Sequence, residues 1–583
     1  MPDFSNAGIA AYFDELGDLY ELDGAVVHRV MAYRNGAKAI RDAPVSVAKL
    51  TREGRVTTLP GIGKTLEEKI SALLETGTIP ALEKLRAKFP PGLVEMTRLP
   101  GLGPKRAKKL FDELGIDSLD ALRAAAEAER LRGVKGFGPK FEATVLAAFA
   151  SGVAEKPAPR FLLPKALGIA EQVIGALRAH PAADKVELAG SARRLADSVK
   201  DLDIIATASD PSALTAAFGE LDVIESAGSA GENAARGRTH SGLAIDLRVV
   251  EPDQFGNLLQ HFTGSRDHNL QLREAAVRRG LHVSEYGILD DATGETTRCA
   301  TEHEVYERLG LAWIPPELRE GRGELEAAAP GGAGFPRLIE ESDLRGDVHS
   351  HTVASDGRNT IEEMAEAAKA RGYEYLAHTD HSATHGFGNH VTPDELRRQI
   401  ERVREANERI DGITLLIGTE TNILPDGSPD YDDELLAELD WVVGSVHTAF
   451  QIGEEAMTKR IVAACEHPWI DAIGHPTGRK IERRPAYPVD MSAVIDAAAR
   501  TGTMLEINAA PDRRDLHDVH ARNAAAAGVK LLIDSDAHGV RELALVRWGI
   551  ATARRGWVTA DQVANTRPLD EFLALRKRAR TTA

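Results

Sequence analysis

Nine imidazole and carboxylate side chains recur through the last part of the chain: His349, His351, Asp356, His381, Glu420, His447, His475, Asp536 and His538. Each stands at or near the end of a short apolar run, and His349 and His351, two apart, fall on one face of a strand. A single buried histidine is ordinarily a satisfied core residue, but a series of nine such groups is hard to explain by packing. With no thiolate among them, the set suits Mn²⁺, Zn²⁺ or Fe²⁺ rather than a structural cysteine–zinc site. Carboxylates bridging two or three ions would generate hydroxide and brace a scissile phosphate.

A second group of acids lies upstream. Asp201-Leu-Asp203 opens a strand-like run, and alternation along a strand turns both carboxylates to one face. Alone, Asp-x-Asp reads more readily as an exposed strand entry than as a metal site. Eleven residues earlier, Gly190-Ser191-Ala-Arg-Arg194 offers a glycine turn, a hydroxyl and a guanidinium to a triphosphate. A third acid, Asp246, interrupts the apolar run Leu243–Val250, where a lone buried carboxylate is costly and a cation would remove the cost. Three convergent carboxylates can hold two Mg²⁺ ions that activate an attacking hydroxyl and stabilise a leaving pyrophosphate.

The first 150 residues carry three similar turns, Leu59-Pro-Gly61-Ile-Gly63, Leu99-Pro-Gly101-Leu-Gly103 and Val134-Lys-Gly136-Phe-Gly138, each ahead of a predicted helix. Paired glycines let backbone N–H groups approach an anion at the helix's positive end. The lysines and arginines that follow, Lys64 and Lys69, then Lys105, Arg106, Lys108 and Lys109, then Lys140, add attraction to any phosphodiester. One such turn would read as a glycine-capped helix connection; three copies with trailing cations favour DNA-backbone binding, the third being the least regular.

The elements that must position these groups change character along the chain. Short amphipathic helices fill the first 150 residues; mixed helix and strand follows from about Phe161 to Ala312, with strand-like runs at Val186–Leu188, Ile204–Ala206 and Ala244–Val250. Residues 316–337, rich in Glu, Gly, Ala and Pro, read as an exposed linker. Beyond it, apolar runs at Tyr375–Ala377, Thr414–Ile417, Trp441–Val443 and Val529–Ile533 alternate with helical stretches, as in a βα barrel or doubly wound sheet. Ligands in such folds bind at the C-terminal strand ends, where the nine groups stand.

A chain of 583 residues exceeds a single core, and 43% hydrophobic with 27% charged residues excludes disordered and fibrous classes. The formal charge of −18 hides a split: residues 1–150 hold 22 basic against 20 acidic groups, and the deficit of −20 lies downstream, so total charge does not decide against a DNA partner. The sequence offers no long uncharged apolar window and its first residues are acidic, predicting a soluble, non-exported chain. Two cysteines, Cys299 and Cys465, are too few for a disulfide framework and fit a reducing cytoplasm.

Gly190-Ser191-x-Arg-Arg194 followed by Asp201-x-Asp203 resembles the nucleotidyltransferase signature of family X DNA polymerases, and the three glycine turns resemble helix–hairpin–helix motifs. Phe262-Thr-Gly264-Ser265, with Asn269 and Arg273, is similar to the family's segment for the incoming nucleotide's sugar and base, although His261 stands where the family usually has tyrosine. Lys69 falls where the family's lyases carry a Schiff-base lysine; a phosphate-contacting or solvated lysine is the alternative. The nine C-terminal ligands resemble the polymerase and histidinol phosphatase (PHP) domain, a distorted (βα)₇ barrel with a trinuclear site.

The resemblance implies a multidomain α+β and α/β chain: a lyase-like helix–hairpin–helix domain over 1–85, a fingers-like one over 86–155, a nucleotidyltransferase palm over 156–250, a thumb over 251–318, a linker over 319–340 and the PHP barrel over 341–583. It implies gap-filling DNA synthesis with Mg²⁺ on gapped or primer–template DNA and deoxynucleoside triphosphates. A Mn²⁺- or Zn²⁺-dependent 3′→5′ exonuclease, with abasic-site endonuclease or 3′-phosphatase activity, is implied for the barrel, and Arg479 and Arg514 are candidates to hold DNA phosphates near its metals. Two other functions stay open: a small-molecule phosphatase with a localising front half, and a non-catalytic scaffold bridging DNA ends.

Overall fold

The computed structural model describes residues 4–97, 99, 102–150, 160–229, 231–386 and 388–577. The chain forms two compact units, one of Met1–Phe161, Gly168–Leu188 and Lys200–Glu251, the other of Leu162–Leu167, Ala189–Val199 and Pro252–Ala583.

In the first unit, helices from Asn6–Leu22 to Pro139–Ala150 share one continuous core running from Ile9 to Val145, so the two helical stretches expected over 1–85 and 86–155 pack on each other. Each glycine turn repeats one backbone pattern: Ile62, Leu102 and Phe137 donate their N–H to the carbonyls of Leu59, Leu99 and Val134. The same three side chains are buried and anchor the turns in the core. Gly61 and Gly136 stand at φ of 89° and 95°, conformations that a side chain would strain. Gly101 lies outside the described residues. The expected strands appear as Ala183–Leu188, Asp201–Ala208 and Ala244–Val249, joined by Ile224–Ser229 and Ala234–Thr239 into a five-stranded sheet. In it the Asp201 strand lies between Ala183–Leu188 and Ala244–Val249.

The second unit opens with helices Phe255–Thr263, Arg266–Val277 and Glu302–Arg308 around a three-stranded antiparallel sheet. The segment read as an exposed linker is packed. Leu318, Leu325 and Ala328 join the core of Leu272, Val305 and Tyr306, and Glu324–Ala328 is helical. Its polar groups are matched on burial: Arg319 pairs with Glu302, and Glu324 Oε1 lies 2.7 Å from His268 Nδ1. All four groups are under one-tenth exposed, so the pairs offset the desolvation of their partners.

Seven parallel strands, Gly346–Ser350, Tyr375–His378, Thr414–Asn422, Trp441–Ser445, Ala472–Ile473, Met504–Asn508 and Leu531–Asp534, follow in chain order around a nearly closed barrel. Alternation sorts their side chains. Leu376, Leu415, Ile417, Val442 and Ile533 pack among the apolar side chains of the surrounding helices, while Tyr375, Leu416, Trp441, Val443 and Leu532 cluster with Phe572. Thr360 and Thr392 cap the helices that follow the first two strands, each in a capping box with a glutamate.

Between the first and last strands, side chains substitute for ladder bonds. Asn565, fully buried, donates to the carbonyls of Gly346 (3.0 Å) and Ile533 (2.8 Å) and accepts from Ile533 N–H (3.1 Å). Asp534 Oδ1 accepts from Val348 N–H at 2.9 Å. Replacing Asn565 by alanine strands buried backbone groups, so Asn565→Ala should cost about 3 kcal/mol, read as a lowered urea midpoint of the intact chain; an unchanged midpoint would show that the seam is held elsewhere.

Candidate metal centre and nucleotide-binding elements

All nine sequence-predicted ligands converge at the C-terminal ends of the barrel strands, and Glu420 stands among them. One of its oxygens lies 2.8 Å from His381 Nδ1 and 3.4 Å from His349 Nε2; the other lies 2.9 Å from His475 Nε2 and 3.2 Å from His447 Nε2. His351 Nε2 is 3.1 Å from Asp536 Oδ1, and His538 Nε2 is 3.3 Å from Asp356 Oδ2. The ligand atoms fall into three overlapping groups, His351–Asp356–His381–His538, His349–His351–Asp536 and His381–Glu420–His447, each within 4.8 Å.

The donors fit divalent cations. His349 Nε2, His351 Nδ1 and His475 Nδ1 are buried without a hydrogen-bond partner among the described residues, a cost that coordination would remove. Burial pushes imidazoles toward neutrality; with Arg513 nearby it takes His475 down to about 3. It acts on His538 too, but the bonded Asp356 and nearby Asp536 overcome it and hold that ring up to about 9. Despite burial, the surrounding histidines hold Glu420 well below the usual carboxylate range.

Three acids that sequence reasoning did not assign fix the ligands. Glu506 spans His349 Nδ1 (2.6 Å) and the His475 N–H (2.5 Å). Asp380 accepts from Thr352 N–H, Thr352 Oγ1 and Ser355 Oγ, holding the loop that carries Asp356. Asp347 accepts from the N–H groups of His349 and Ser535. Their signal in the sequence was position: Asp347 and Asp380 each lie within two residues of a ligand, while Glu506 had none beyond its strand.

A cavity of about 360 Å³ opens onto the ligands, lined also by Arg358, Lys480, Asp512 and Arg513. Arg513 Nε lies 3.7 Å from Asp536 Oδ2, and Lys480 Nζ lies 3.1 Å from Asp512. The two arginines expected here are elsewhere: Arg514 is fully buried and bonds Thr552 Oγ1, and Arg479 pairs with Asp197. Arg514 has φ of 45°, and neither it nor Arg479 lines the cavity.

In the first unit Asp203 lies directly opposite Asp246 on parallel strands, with Asp201 two residues along on the same face. Leu202, Ile204 and Leu247 are buried on the opposite face, which fixes that register. Asp246, expected to need a cation, is paired with Arg236 (3.1 Å) and Arg248 (3.0 Å). Gly63, Gly103 and Gly138 directly precede helices Lys64–Thr76, Pro104–Leu114 and Pro139–Ala150; all three are exposed, as are Gly61, Gly136, Lys64 and Lys105. Lys69 is half-buried on the first of these helices. Of the other cations, Arg106 stacks 4.6 Å over Phe137 and Phe141 and bonds the Gly136 carbonyl, and Lys109 bonds the Lys135 carbonyl. These two brace the third turn.

In the second unit Gly190–Arg193 forms one helical turn carrying the half-buried Ser191. Arg193 Nη1 reaches Thr263 Oγ1 and Arg194 Nη1 the Thr263 carbonyl, tying this turn to the Phe262–Ser265 segment. Asn269 donates to the His261 carbonyl at 2.7 Å, and a Cβ on Gly264 would stand 2.3 Å from Asn269 Oδ1. Asn269 thus shapes the turn, while Arg273, exposed, reaches His261 Nδ1 at 3.3 Å.

Known families match in four places: residues 4–79 a helix-hairpin-helix domain, 93–150 a SAM-like helix-hairpin-helix tandem, 258–320 the DNA polymerase beta thumb and 347–509 the PHP domain. Over 560 residues, 96% of this chain and 97% of the relative, the sequence is 38% identical to the DNA polymerase/3'-5' exonuclease PolX of Bacillus subtilis. The chain belongs to the family X DNA polymerases that carry a PHP domain. Another set of relatives covers the barrel region: probable phosphatases of Thermoanaerobacter sp. and Shewanella sediminis, 30% and 29% identical over 245 and 246 residues, each match spanning 40% of this chain and 95% of the relative.

Membership in this family and the donor set agree that the polymerase depends on metals. Mn²⁺ at a hundred times its dissociation constant should stabilise the chain by about 2.7 kcal/mol, seen as an upward shift of the melting temperature. Glu420→Ala should abolish most of that shift; a variant that still shows the full shift would place the ions away from Glu420.

Proposed function

We propose that this family X polymerase fills short gaps in DNA at the Asp201–Asp203–Asp246 face and shortens 3′ ends at the PHP barrel. The observation that carries the reading is the coexistence, in a chain matching a polymerase/exonuclease along nearly its whole length, of an aligned carboxylate trio and a convergent nine-ligand centre. Divalent ions, Mg²⁺ at the carboxylate trio and Mn²⁺ or Zn²⁺ at the barrel, supply an activated oxygen nucleophile and charge neutralisation when bound.

The residues' own tasks follow from their places. Asp201, Asp203 and Asp246 present their oxygens on one sheet face; Arg236 and Arg248 neutralise Asp246 and must share it with any cation. Gly190, Ser191 and Arg194 offer N–H, hydroxyl and guanidinium donors to the triphosphate, and Phe262, Gly264 and Arg273 border the sugar and base, with Asn269 shaping their turn. His261, in the place of the family's usual tyrosine, sits beside that turn and bears on sugar selectivity. Gly61, Gly63, Lys64, Gly103, Lys105, Gly136 and Gly138 grip the DNA backbone without reading bases, as Gly101 is expected to. In the barrel, Arg513 and Lys480 hold the scissile phosphate against the ligands. Lys69 is accessible enough for a lyase step, which borohydride trapping on a 5′-deoxyribose phosphate would detect.

The barrel's similarity to probable phosphatases favours 3′-phosphatase or abasic-site cleavage as further phosphoester reactions of this centre, rather than a metabolite phosphatase, because the rest of the chain binds and extends DNA. Among the described residues no helix is long and apolar enough to cross a membrane, and both cysteines are free and buried; a cytoplasmic enzyme fits.

The test follows a 5′-labelled primer at a one-nucleotide gap. Asp203→Ala should lower extension by more than roughly a hundredfold while degradation with Mn²⁺ continues, and His351→Ala should do the reverse. Loss of both activities in either folded variant would refute two separate centres. Arg513→Ala should weaken 3′-end processing by roughly tenfold and leave extension intact.

A further inference from the structure

Arg194, the guanidinium assigned above to the triphosphate, is not free. Its Nε lies 2.9 Å from Glu320 Oε1, its Nη1 donates to the Thr263 carbonyl, and its side chain is only 13% exposed. The same Glu320 oxygen accepts from Arg555 Nη1 at 2.7 Å, and that nitrogen also reaches the Arg194 carbonyl at 2.7 Å. Arg555 ends the helix Val546–Arg555, far along the chain in the PHP region, and its Nη2 pairs with Asp518 at 2.9 Å. The next residues of the turn are held from the same side. Arg514 Nη2 donates to the Leu195 carbonyl at 3.0 Å, and Arg479 Nη1 pairs with Asp197 at 3.0 Å. Side chains of the barrel region therefore hold Arg194, Leu195 and Asp197 within one unit.

The charges in this contact have an arithmetic. Glu320 is anionic: burial works against its ionisation, but Arg555 and Arg194 hold it below the usual carboxylate range. The three side chains Arg194, Glu320 and Arg555 together carry one net positive charge, and Asp518, which also pairs with Arg555, is balanced by Arg322 at 3.0 Å. Without Arg555, Glu320 would neutralise Arg194 one to one, in surroundings where a partner's charge is weakly screened. A triphosphate would then compete with a carboxylate that no second cation restrains.

From this geometry we infer that Arg555 is a positioning residue for nucleotidyl transfer: by sharing Glu320 it keeps the Arg194 guanidinium available to the triphosphate of the incoming nucleotide. The inference rests on the reading of Arg194 as a triphosphate ligand. It gives the PHP region a part in the polymerase reaction that is separate from its own hydrolytic centre, since neither Arg555 nor Glu320 lines the metal cavity.

Net charge, rather than structural integrity, is what the test must read. Single-nucleotide insertion into gapped DNA would be followed with the full-length enzyme and Mg²⁺, separating KM for the deoxynucleotide from kcat. Arg555→Met, which leaves the trio neutral, should raise KM roughly tenfold with kcat within about twofold. Glu320→Gln, which removes a negative charge, should bring KM below that of the parent. The double variant regains one net positive charge and should return to within about twofold of the parent KM. Damage to packing would instead make the double variant the worst of the three, and that order, or an unchanged KM in Arg555→Met, overturns the proposal. Arg194→Ala separates the role of the turn from that of Arg555. If it leaves KM unchanged, the reading of the turn itself falls; if it raises KM while Arg555→Met does not, only the role of Arg555 falls. Shortening of 3′ ends with Mn²⁺ reports that each variant is folded. Should Arg555→Met fail that control, Arg555→Lys, which keeps the charge, must hold KM within about threefold of the parent, and Glu320→Gln must still lower it; failure of either overturns the proposal.

Discussion

Nine ionisable ligands gathered at one end of a barrel would repel, or lose their charge, without compensation, and the C-terminal fold is built around that cost. Glu420 shows the solution in miniature. It is wholly buried, yet four imidazoles stand within 3.4 Å of its oxygens, so its charge is favourable where an isolated carboxylate would not ionise. The apolar residues lower on the same strands, Leu416, Trp441 and Met504 among them, close the other end with Phe572. Six of the seven strands thus bring a ligand at or just past their C-terminal ends, and the seventh, Met504–Asn508, brings Glu506, which holds His349. That polarity is what a parallel barrel offers and an antiparallel sheet does not, because all seven C-terminal ends face one way.

The same constraint explains the second layer of acids. Imidazoles that must aim one nitrogen at a cation need the other held, as Glu506 does for His349. Asp347, Asp534 and Asn565 do a related task for the backbone, tying the first strand to the last where regular ladder bonds stop. Distortion of the barrel and geometry of the metal centre are thus one feature, since the seam passes directly beneath His349 and Asp536. The carboxylate trio of the five-stranded sheet solves an easier problem. Asp201 is exposed and Asp246 has two arginines, so its charges are met by solvent and by cations of the chain itself.

Most of this could be read from residue order. Ligands at strand ends, Asp-x-Asp on an alternating strand and glycine turns before helices depend on local period and local chemistry, and the structure places them accordingly. Legibility failed where tertiary partners decide. The segment 316–337 has the composition of a linker, but Arg319 finds a buried counter-charge at Glu302 and Glu324 a buried hydrogen-bond partner at His268, and no local pattern announces a pairing across that distance. Arg106 and Lys109, read as cations that attract phosphates, also brace the third glycine turn, because its Phe137 and its carbonyls lie within their reach, a tertiary task no local pattern announces. Arg513 and Arg514 are indistinguishable as types; the backbone at Arg514, with φ of 45°, turns the two neighbours apart.

The backbone at Arg514 sends these two side chains to different parts of the structure. Arg513 lines the metal cavity, 3.7 Å from Asp536, while the adjacent Arg514 is buried and donates to the Leu195 carbonyl just after the Gly190–Arg193 turn. Two successive peptide units thus join the surroundings of the hydrolytic ligands to the segment carrying Arg194. Arg514 cannot relax into water, since its guanidinium is fully buried, and desolvation beside Arg555 and Arg479 pushes its pKa down to about 9. A cation held at that expense is sensitive to small displacements, because each lost hydrogen bond leaves a buried charge without its compensation. Packing at this loop therefore sets two adjacent arginines against different neighbours, Asp536 at the metal cavity and the Leu195 carbonyl beside Arg194, with no flexible connector between them.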